Sequence, residues 1–240
     1  MDINYKEILE NLIHELARIN SMIKTSAETI SKCTKGNMDK NAIVHHSEIV
    51  LENSFLFSTQ LDIVNYQLNP NYIFDVEKFD KRNIYGKFHK AIISFKRLAK
   101  EKQIKIEVRG SINVCIDSKP VIDTLPILIL DNAIKYSPKG CIIEIEFNED
   151  PDSIEVQVSN MGPYIAPNER DKIFNRGYRG KEATKTNTMG LGFGLNFIRL
   201  ICKIHQASIS VICSENICKI GNINYSEFKL KIVFPKQIKV

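Results

Sequence analysis

Apolar residues in the N-terminal part of the chain recur at alternating steps of three and four, which is the spacing of an amphipathic helix. The series contains no Gly or Pro, closes with one step of seven, and runs through Leu9, Leu12, Leu16, Ile19, Ile23 and Ile30. Such a heptad seam predicts one long helix from about Tyr5 to Lys35. Gly36 then stands where a helix stop is expected.

A second apolar stripe predicts a second helix, from about Lys40 to Leu68. Ser47 and Ser54 occupy two positions of this stripe, and the others are Ile43, Val50, Phe57, Leu61, Val64 and Leu68. The run Asn69-Pro70-Asn71 ends the helix. Two amphipathic helices joined by a short turn predict an antiparallel helical hairpin over residues 1–70. Because a single hairpin buries little of either stripe, we expect a homodimer in which two hairpins form a four-helix bundle.

The pattern then changes to interleaved helical and strand-like stretches. Helical periodicity covers residues 79–102, 118–136 and 191–205. Strand-like runs cover residues 104–108, 114–116, 141–147, 154–159, 208–213 and 228–234. The later strands are joined mostly by hairpins, such as the turn at Asn148–Asp152. This order predicts an α+β domain over residues 71–240 rather than a doubly wound parallel sheet.

The composition is that of an ordinary soluble globular protein, with 43% hydrophobic and 25% charged residues over 240 positions. A net charge of +5 without an arginine-rich arm does not favour nucleic acid as a partner. The six Cys residues show no CxxC or zinc-ligand spacing, which is typical of reduced thiols in a cytosolic protein. No stretch approaches the ~20 apolar residues of a membrane span. We therefore expect a cytoplasmic chain that makes no membrane contact of its own.

Three alternating glycines, Gly190, Gly192 and Gly194, come directly before a predicted helix. Glycines let a backbone approach a phosphate closely, and a helix N-terminus adds free N–H groups and a favourable dipole. A flexible hinge before a helix explains the same run equally well.

Asn132 and Lys135 lie three residues apart on a predicted helix that is otherwise apolar, so they share one face. An amide oxygen can ligate Mg²⁺, and an ammonium group can reach a phosphate. The alternative is an exposed helix end with no ligand.

Two further segments complete a candidate nucleotide site. The turn Ser159-Asn160-Met161-Gly162 follows a strand, and its short polar side chain is suited to the edge of a nucleobase. The segment from Ile173 to Gly180 leads into the small and charged run 181–188, whose composition suits a mobile lid over phosphates. An ordinary turn and a solvated loop are the simpler interpretations of these two segments.

In their order along the chain, these four segments resemble the nucleotide-binding boxes of histidine kinases, within the wider group of gyrase, Hsp90 and MutL ATPases. The resemblance covers about Phe79 to Pro235. It implies a two-layer α/β sandwich of the Bergerat type that binds ATP and Mg²⁺. It also implies that Asn132 holds Mg²⁺ through ATP, that Lys135 contacts phosphate, and that Tyr136 lines the adenine pocket. The other residues expected to contact the nucleotide are Asn160, Gly162, Ile165, Phe174, Arg179, Gly190, Leu191, Gly192, Gly194 and Leu195.

Three positions depart from the pattern of these kinases. Asn160 stands in place of the Asp that accepts a hydrogen bond from the adenine amine, but its amide oxygen can accept the same bond. Tyr164 replaces the second Gly of that turn. Leu128 occupies a position where many members carry another Asn.

The segment His14-Glu15-Leu16 on the first helix resembles the phosphoacceptor box of the same kinases. With Leu9 at heptad position a, His14 falls at position f, away from the seam, and is available to an incoming phosphate. Glu15 is the expected general base. Arg18 stands where members with phosphatase activity carry Thr or Asn. The rival acceptors His45 and His46 are interpreted as surface or interface residues.

These features together predict a protein histidine autokinase of a two-component signalling system. It would phosphorylate His14 and pass the phosphoryl group to an Asp of the receiver domain in a separate response regulator. One alternative is an ATP-binding conformational switch without kinase activity, which has no need of His14. A third hypothesis, a serine kinase of the anti-sigma-factor type, fits less well because those relatives generally lack the helical hairpin.

Overall fold

The computed structural model describes residues 5–35, 39–68, 78–186, 188, 190 and 192–238. The chain divides into two compact units, residues 1–72 and 73–240. The predicted domain boundary after Pro70 and the predicted helix stop at Gly36 lie outside the described residues. None of the helices in the described ranges is both long enough and apolar enough to cross a membrane.

The first unit is a pair of packed helices, α1 (Tyr5–Lys35) and α2 (Lys40–Leu68). The seam predicted for α1 is confirmed where its side chains are described, because Ile19 is only 1% exposed and Leu16, Ile23 and Ile30 are half-buried. Ser26 is also buried, and it occupies the seam position between Ile23 and Ile30 that the apolar series skips. The side chains of Leu9 and Leu12 lie outside the described residues.

The face of α2 that meets α1 differs from the predicted apolar stripe. His46 Nδ1 lies 3.3 Å from Ser26 Oγ on α1, so the stripe that carries His46 faces the first helix. Asn53, on the same side as His46, is buried, and its amide donates to the backbone carbonyl of Ile49 at 2.8 Å. The predicted stripe lies next to this one, and Leu61 within it is 40% exposed. Pairing of the two helices therefore uses a mixed polar stripe and leaves the apolar one only partly covered.

The second unit is an α+β domain, as predicted. Its helices are α3 (Ile84–Glu101), α4 (Thr124–Tyr136) and α5 (Gly194–Ile204). Its strands are β1 (Asp80–Arg82), β2 (Lys105–Arg109), β3 (Ile116–Ser118), β4 (Ile142–Glu149), β5 (Ser153–Pro163), β6 (Ser208–Cys213), β7 (Cys218–Ile220) and β8 (Ile223–Pro235). The main sheet has the order β2-β4-β5-β8-β6 with β7 beside β8, and β1 pairs with β3. Among the described strands, β2 with β4 is the one parallel pair.

Several predicted boundaries were wrong, each for a local reason. The helix predicted from residue 79 begins at Ile84, because residues 80–82 pair with β3 and Asn83 caps the helix by accepting from Gly86 N–H at 2.8 Å. The helix predicted from residue 118 begins at Thr124 after a short 3-10 turn that opens with Pro120. The last strand begins at Ile223 rather than at residue 228, and β7 was missed.

Alternate residues of the central strands form the core between the sheet and the helices. Ile143, Ile145 and Phe147 of β4 are buried, while the residues between them are partly exposed. The ring of Phe88 on α3 contacts the Phe147 ring edge-on, with a centroid distance of 5.4 Å. Helix α4 is buried almost throughout, from Thr124 to Asp131. Because this helix is fixed by core packing, the polar residues of its last turn are held in defined positions.

Candidate functional site

The last turn of α4 carries the first group of candidate residues. Asn132, Lys135 and Tyr136 are all half-buried, in contrast to the buried turns before them. Lys135 Nζ lies 2.6 Å from Asp131 Oδ2. Asp131 is 9% exposed, and its second oxygen has no hydrogen-bond partner among the described residues. One oxygen of the Asp131 carboxylate therefore holds the Lys135 ammonium group at the helix surface, and the other oxygen can still accept a hydrogen bond.

Two of the three alternating glycines lie directly against this turn. A Cβ atom added to Gly194 would lie 3.0 Å from Asn132 Nδ2. A Cβ added to Gly190 would lie 3.2 Å from the Tyr136 hydroxyl oxygen. The fold therefore brings together two segments that lie more than fifty residues apart in the sequence. Gly194 also opens α5, so the free N–H groups of that helix begin beside Asn132.

Among the three alternating glycines, Gly192 is the one whose conformation and surroundings both exclude a side chain. Its φ of +72° lies in the left-handed region, and an added Cβ would lie 2.6 Å from the Tyr178 carbonyl oxygen. Its own carbonyl accepts from Gly177 N–H at 3.1 Å. Leu191 lies outside the described residues, and Leu195 is half-buried in the first turn of α5.

Asn160 on β5 is hydrogen-bonded to Ser137, the residue that follows the last turn of α4. It is 7% exposed, and its amide nitrogen donates to Ser137 Oγ at 3.1 Å and to the Met161 carbonyl at 3.0 Å. A Cβ added to Gly162 would lie 3.5 Å from the same nitrogen. Ile165, just beyond β5, is half-buried. Ser137 directly follows Tyr136, so the two residues expected near the adenine ring sit on connected segments.

Lys102 secures the end of α4 and was missed by the sequence analysis. Its ammonium group donates to the carbonyls of Ile134, Lys135 and Ser137 at 2.7, 2.9 and 3.0 Å. Burial lowers the pKa of Lys102 from its ordinary value. A cation at this position satisfies carbonyls that a helix end leaves free and opposes the negative end of the helix dipole.

We expect Lys102→Met to destabilise the second unit by about 2 kcal/mol, because three hydrogen bonds to a charged donor are lost. The exposed Lys100, in the last turn of α3 just before Lys102, provides the matched control. Chemical denaturation of both variants measures the effect. Equal stability of Lys102→Met and Lys100→Met would show that the cap contributes nothing.

The half-buried carboxylate of Glu169 anchors the segment that leads into the predicted lid. Glu169 accepts from the Tyr178 hydroxyl at 2.7 Å and from Lys181 N–H at 2.9 Å. Burial by itself would raise the pKa of Glu169, but these donors and the N–H of Ala166 lower it below its ordinary value. The hydrogen bond that the Tyr178 hydroxyl donates to Glu169 is the main cause that raises the pKa of Tyr178 to about 12. Glu169 therefore stays ionised and holds the segment in place.

A second carboxylate ties the predicted lid, residues 181–188, to β8. Glu182 is 7% exposed and accepts from the backbone N–H of Asn224 at 2.9 Å and from Lys185 Nζ at 2.6 Å. Arg179 donates to the carbonyls of Ala183 and Thr188, both at 3.0 Å. The contacts of the described residues thus place the Arg179 guanidinium within the lid segment.

Phe174 is buried and lies against α5. The Arg199 guanidinium stands 5.7 Å from the centre of its ring, and Asn196 donates to its carbonyl at 3.0 Å. Leu128, the departure noted on α4, is 5% exposed and belongs to the core.

The candidate phosphoacceptor lies in the helical unit. His14 is exposed on α1. Glu15 accepts two hydrogen bonds from the Arg18 guanidinium, at 3.0 and 2.7 Å. Among the rival histidines, His45 is exposed and His46 is half-buried.

Part of the chain matches a known protein family. Residues 127–233 match the family described as histidine kinase-, DNA gyrase B-, and HSP90-like ATPase. This segment therefore resembles the ATPase domains of that family, and the chain resembles a sensor histidine kinase core. The matched segment begins within α4 and includes the whole glycine run, so it contains every candidate residue of the second unit.

The histidine kinase relatives extend the likeness to the helical unit. The histidine protein kinase SaeS of Staphylococcus epidermidis is 26% identical over 94% of the chain, which spans 64% of the length of SaeS. The catalytic domain of histidine kinase ThkA is 20% identical, with a TM-score of 0.56 over 67% of this chain and 99% of that domain. ThkA in complex with response regulator protein TrrA is 20% identical, with a TM-score of 0.52 over 97% of this chain and 64% of that chain. These structural likenesses confirm the predicted fold.

Proposed function

We propose that this chain is an ATP-dependent protein histidine kinase that phosphorylates its own His14. The observation that carries the proposal is the packing of the glycine segment onto the last turn of α4. Gly194 lies close to Asn132, and Gly190 lies close to Tyr136. Because glycine has no side chain, only backbone atoms of the glycine segment stand beside these two residues. A site with this shape suits a phosphate chain held by N–H groups and a helix N-terminus.

Asn132 and Lys135 supply the groups that a nucleotide triphosphate needs. Mg²⁺ is usually bound by one or two protein oxygens together with substrate phosphates, and the Asn132 amide oxygen is suited to that role. When bound, Mg²⁺ neutralises negative charge on the phosphates during transfer. The Lys135 ammonium, now paired with Asp131, would exchange part of that pairing for a phosphate oxygen. Asn160 would accept from the adenine amine, and Tyr136 would line the base.

The phosphoryl transfer requires an imidazole nitrogen that is open to the nucleotide. The His14 nitrogen would attack the γ-phosphorus, and the bond from that phosphorus to the β,γ-bridging oxygen would break, which releases ADP. Glu15 would accept the ring proton that the new bond makes acidic. The Arg18 guanidinium donates two hydrogen bonds to Glu15 and fixes the direction of the carboxylate.

The partner proteins follow from the surface of the helical unit and from the relatives. The partly exposed apolar stripe on α2, which includes Val50, Phe57 and Leu61, would be covered by a second copy in a four-helix bundle. The ThkA structure contains a response regulator protein. By analogy, this chain would pass its phosphoryl group to an Asp of a separate response regulator in the cytoplasm.

Incubation of the chain with ATP labelled at the γ-phosphate tests the proposal. We expect a label that acid removes and base does not, since a phosphoramidate on histidine behaves in this way. His14→Ala is expected to lose the label, whereas the matched control His45→Ala, an exposed histidine on α2, is expected to retain it. Binding of ATP without any label would favour the conformational switch instead. A label that persists in His14→Ala would assign the acceptor to another residue.

A further inference from the structure

We propose that Glu169 is a positioning residue of the nucleotide site, which holds the backbone at Gly177 and Tyr178 against Gly192. The inference rests on the proposed ATP site and adds a residue that lies outside the segments assigned to the nucleotide. Glu169 ends a short 3-10 turn (Pro167–Glu169) that follows β5. It would therefore act on ATP only through the segments that its carboxylate fixes.

The Glu169 carboxylate joins three points of the chain. Its Oε1 atom accepts from the Tyr178 hydroxyl at 2.7 Å and from the Lys181 N–H at 2.9 Å. Its Oε2 atom accepts from the Ala166 N–H at 3.4 Å. Tyr178 belongs to the segment that reaches Gly192, and Lys181 begins the predicted lid. One half-buried side chain therefore ties both of these segments to the end of β5.

The backbone that Glu169 holds lies directly against the glycine run. The Gly177 N–H donates to the Gly192 carbonyl at 3.1 Å. A Cβ added to Gly192 would lie 2.6 Å from the Tyr178 carbonyl oxygen, so the two stretches of backbone meet with no room between them. The position of Gly192 thus depends on where Gly177 and Tyr178 are held.

Neighbouring side chains extend this contact to α5. The Arg176 guanidinium stands 5.9 Å from the centre of the Phe193 ring, and Asn196 donates to the Phe174 carbonyl at 3.0 Å. Phe193 is 4% exposed and lies between two glycines of the run. A shift of the segment 173–180 would therefore displace the glycine run and the first turn of α5, whose free N–H groups suit a phosphate.

A carboxylate is suited to this role because it can accept several hydrogen bonds and carries a charge. Hydrogen bonds to an ionised acceptor are roughly twice as strong as those between neutral groups. The Tyr178 hydroxyl and the Lys181 N–H meet the same oxygen, so they are also fixed relative to each other. Without Glu169, both donors would lose this acceptor, and residues 178–181 would lose their link to the end of β5.

The test begins with ATP dissociation constants, measured by calorimetry with Mg²⁺ on the full chain. Because Glu169→Ala removes the acceptor of two donors, we expect it to weaken ATP binding about tenfold. Glu169→Gln keeps an oxygen for both donors, and we expect its affinity to lie within about threefold of the wild type. Glu215→Ala is the matched control, because Glu215 is exposed and accepts from Arg170, the residue after Glu169. It is expected to bind ATP as the wild type does.

A double-mutant cycle separates positioning from general damage to the domain. If Glu169 acts through the contact at Gly192, that contact is already broken in Gly192→Ala. Adding Glu169→Ala is then expected to weaken ATP binding by no more than about twofold further, whereas independent effects would multiply. Tyr178→Phe removes one of the two donors and is expected to weaken ATP binding about threefold. It takes the place of Glu169→Ala in the cycle if that variant does not fold.

Amide exchange without nucleotide keeps the inference apart from the proposed function. We expect the Gly177 amide hydrogen to exchange with solvent about tenfold faster in Glu169→Ala than in the wild type, as measured by NMR. An unchanged exchange rate would overturn the inference and leave the proposed function standing. Wild-type ATP affinity in Glu169→Ala, no recovery in Glu169→Gln, or effects that multiply in the double mutant would do the same. A wild-type chain that binds no ATP would overturn both, whatever the exchange rates are.

Discussion

Asn132→Ala is expected to abolish Mg²⁺-dependent labelling by ATP while leaving the stability of the fold unchanged. The side chain is half-buried and makes no hydrogen bond with the residues that the structure describes, so its removal costs the native state little. Its amide oxygen is the proposed protein ligand of the metal. Loss of one preorganised electrostatic group typically lowers a rate by about 100-fold or more.

The measurement pairs the labelling rate with a thermal unfolding curve for each variant. Asn148→Ala is the matched control, because Asn148 is an exposed asparagine at the end of β4, away from α4. It is expected to label at the wild-type rate. Undiminished labelling in Asn132→Ala would refute the assignment of the metal ligand, and a large drop in melting temperature would show a structural role instead.

Gly192→Ala is expected to weaken ATP binding by about tenfold or more, equivalent to ~1.4 kcal/mol or more. Two effects combine at this position. The left-handed φ of +72° costs an Ala residue about 1–2 kcal/mol. In addition, the new Cβ would lie 2.6 Å from the Tyr178 carbonyl oxygen and 2.7 Å from the Gly177 carbonyl carbon. Because both obstacles are backbone atoms, the glycine segment must move away from the segment 173–180 that leads into the lid.

The chain contains controls that separate these two effects. Gly140 and Gly221 have φ of +82° and +62°, yet a Cβ at either position would meet nothing within 4 Å. Gly140→Ala and Gly221→Ala therefore carry the strain without the collision, and we expect both to bind ATP nearly as the wild type does. Calorimetry of the three variants makes the comparison. If Gly192→Ala binds ATP as tightly as Gly221→Ala, the close contact of Gly192 with Gly177 and Tyr178 is not needed for the site.

Local patterns were enough to predict the helices and strands that carry the candidate site. The seam of α1 and the alternation in β4 follow from periods of 3.6 and 2.0 residues, which a sequence displays directly. The candidates Asn132, Gly190 and Gly194 were identified in the same way, from a polar pair on an apolar helix and from alternating glycines. Their roles stay predictions, as do those of His14 and Glu15.

Boundaries were less predictable because they depend on competition between neighbouring structures. The start of α3 shows this, since hydrophobic periodicity alone would continue the helix back to Phe79. Pairing of β1 with β3, a segment more than thirty residues away, removes residues 80–82 from the helix. The Asn83 side chain then caps the shortened helix.

The sequence by itself determined which segments are helical and at which glycines the backbone can approach another group closely. It also determined which polar side chains stand out on an otherwise apolar helix. Only the tertiary structure decided which stripe of α2 meets α1, that Lys102 caps α4, and that Ser137 holds Asn160. The physical reason is that periodicity reports on contacts within one element, whereas these bonds join separate elements. Lys102 and Ser137 are 35 residues apart, and a hydrogen bond over that distance leaves no local pattern of its own.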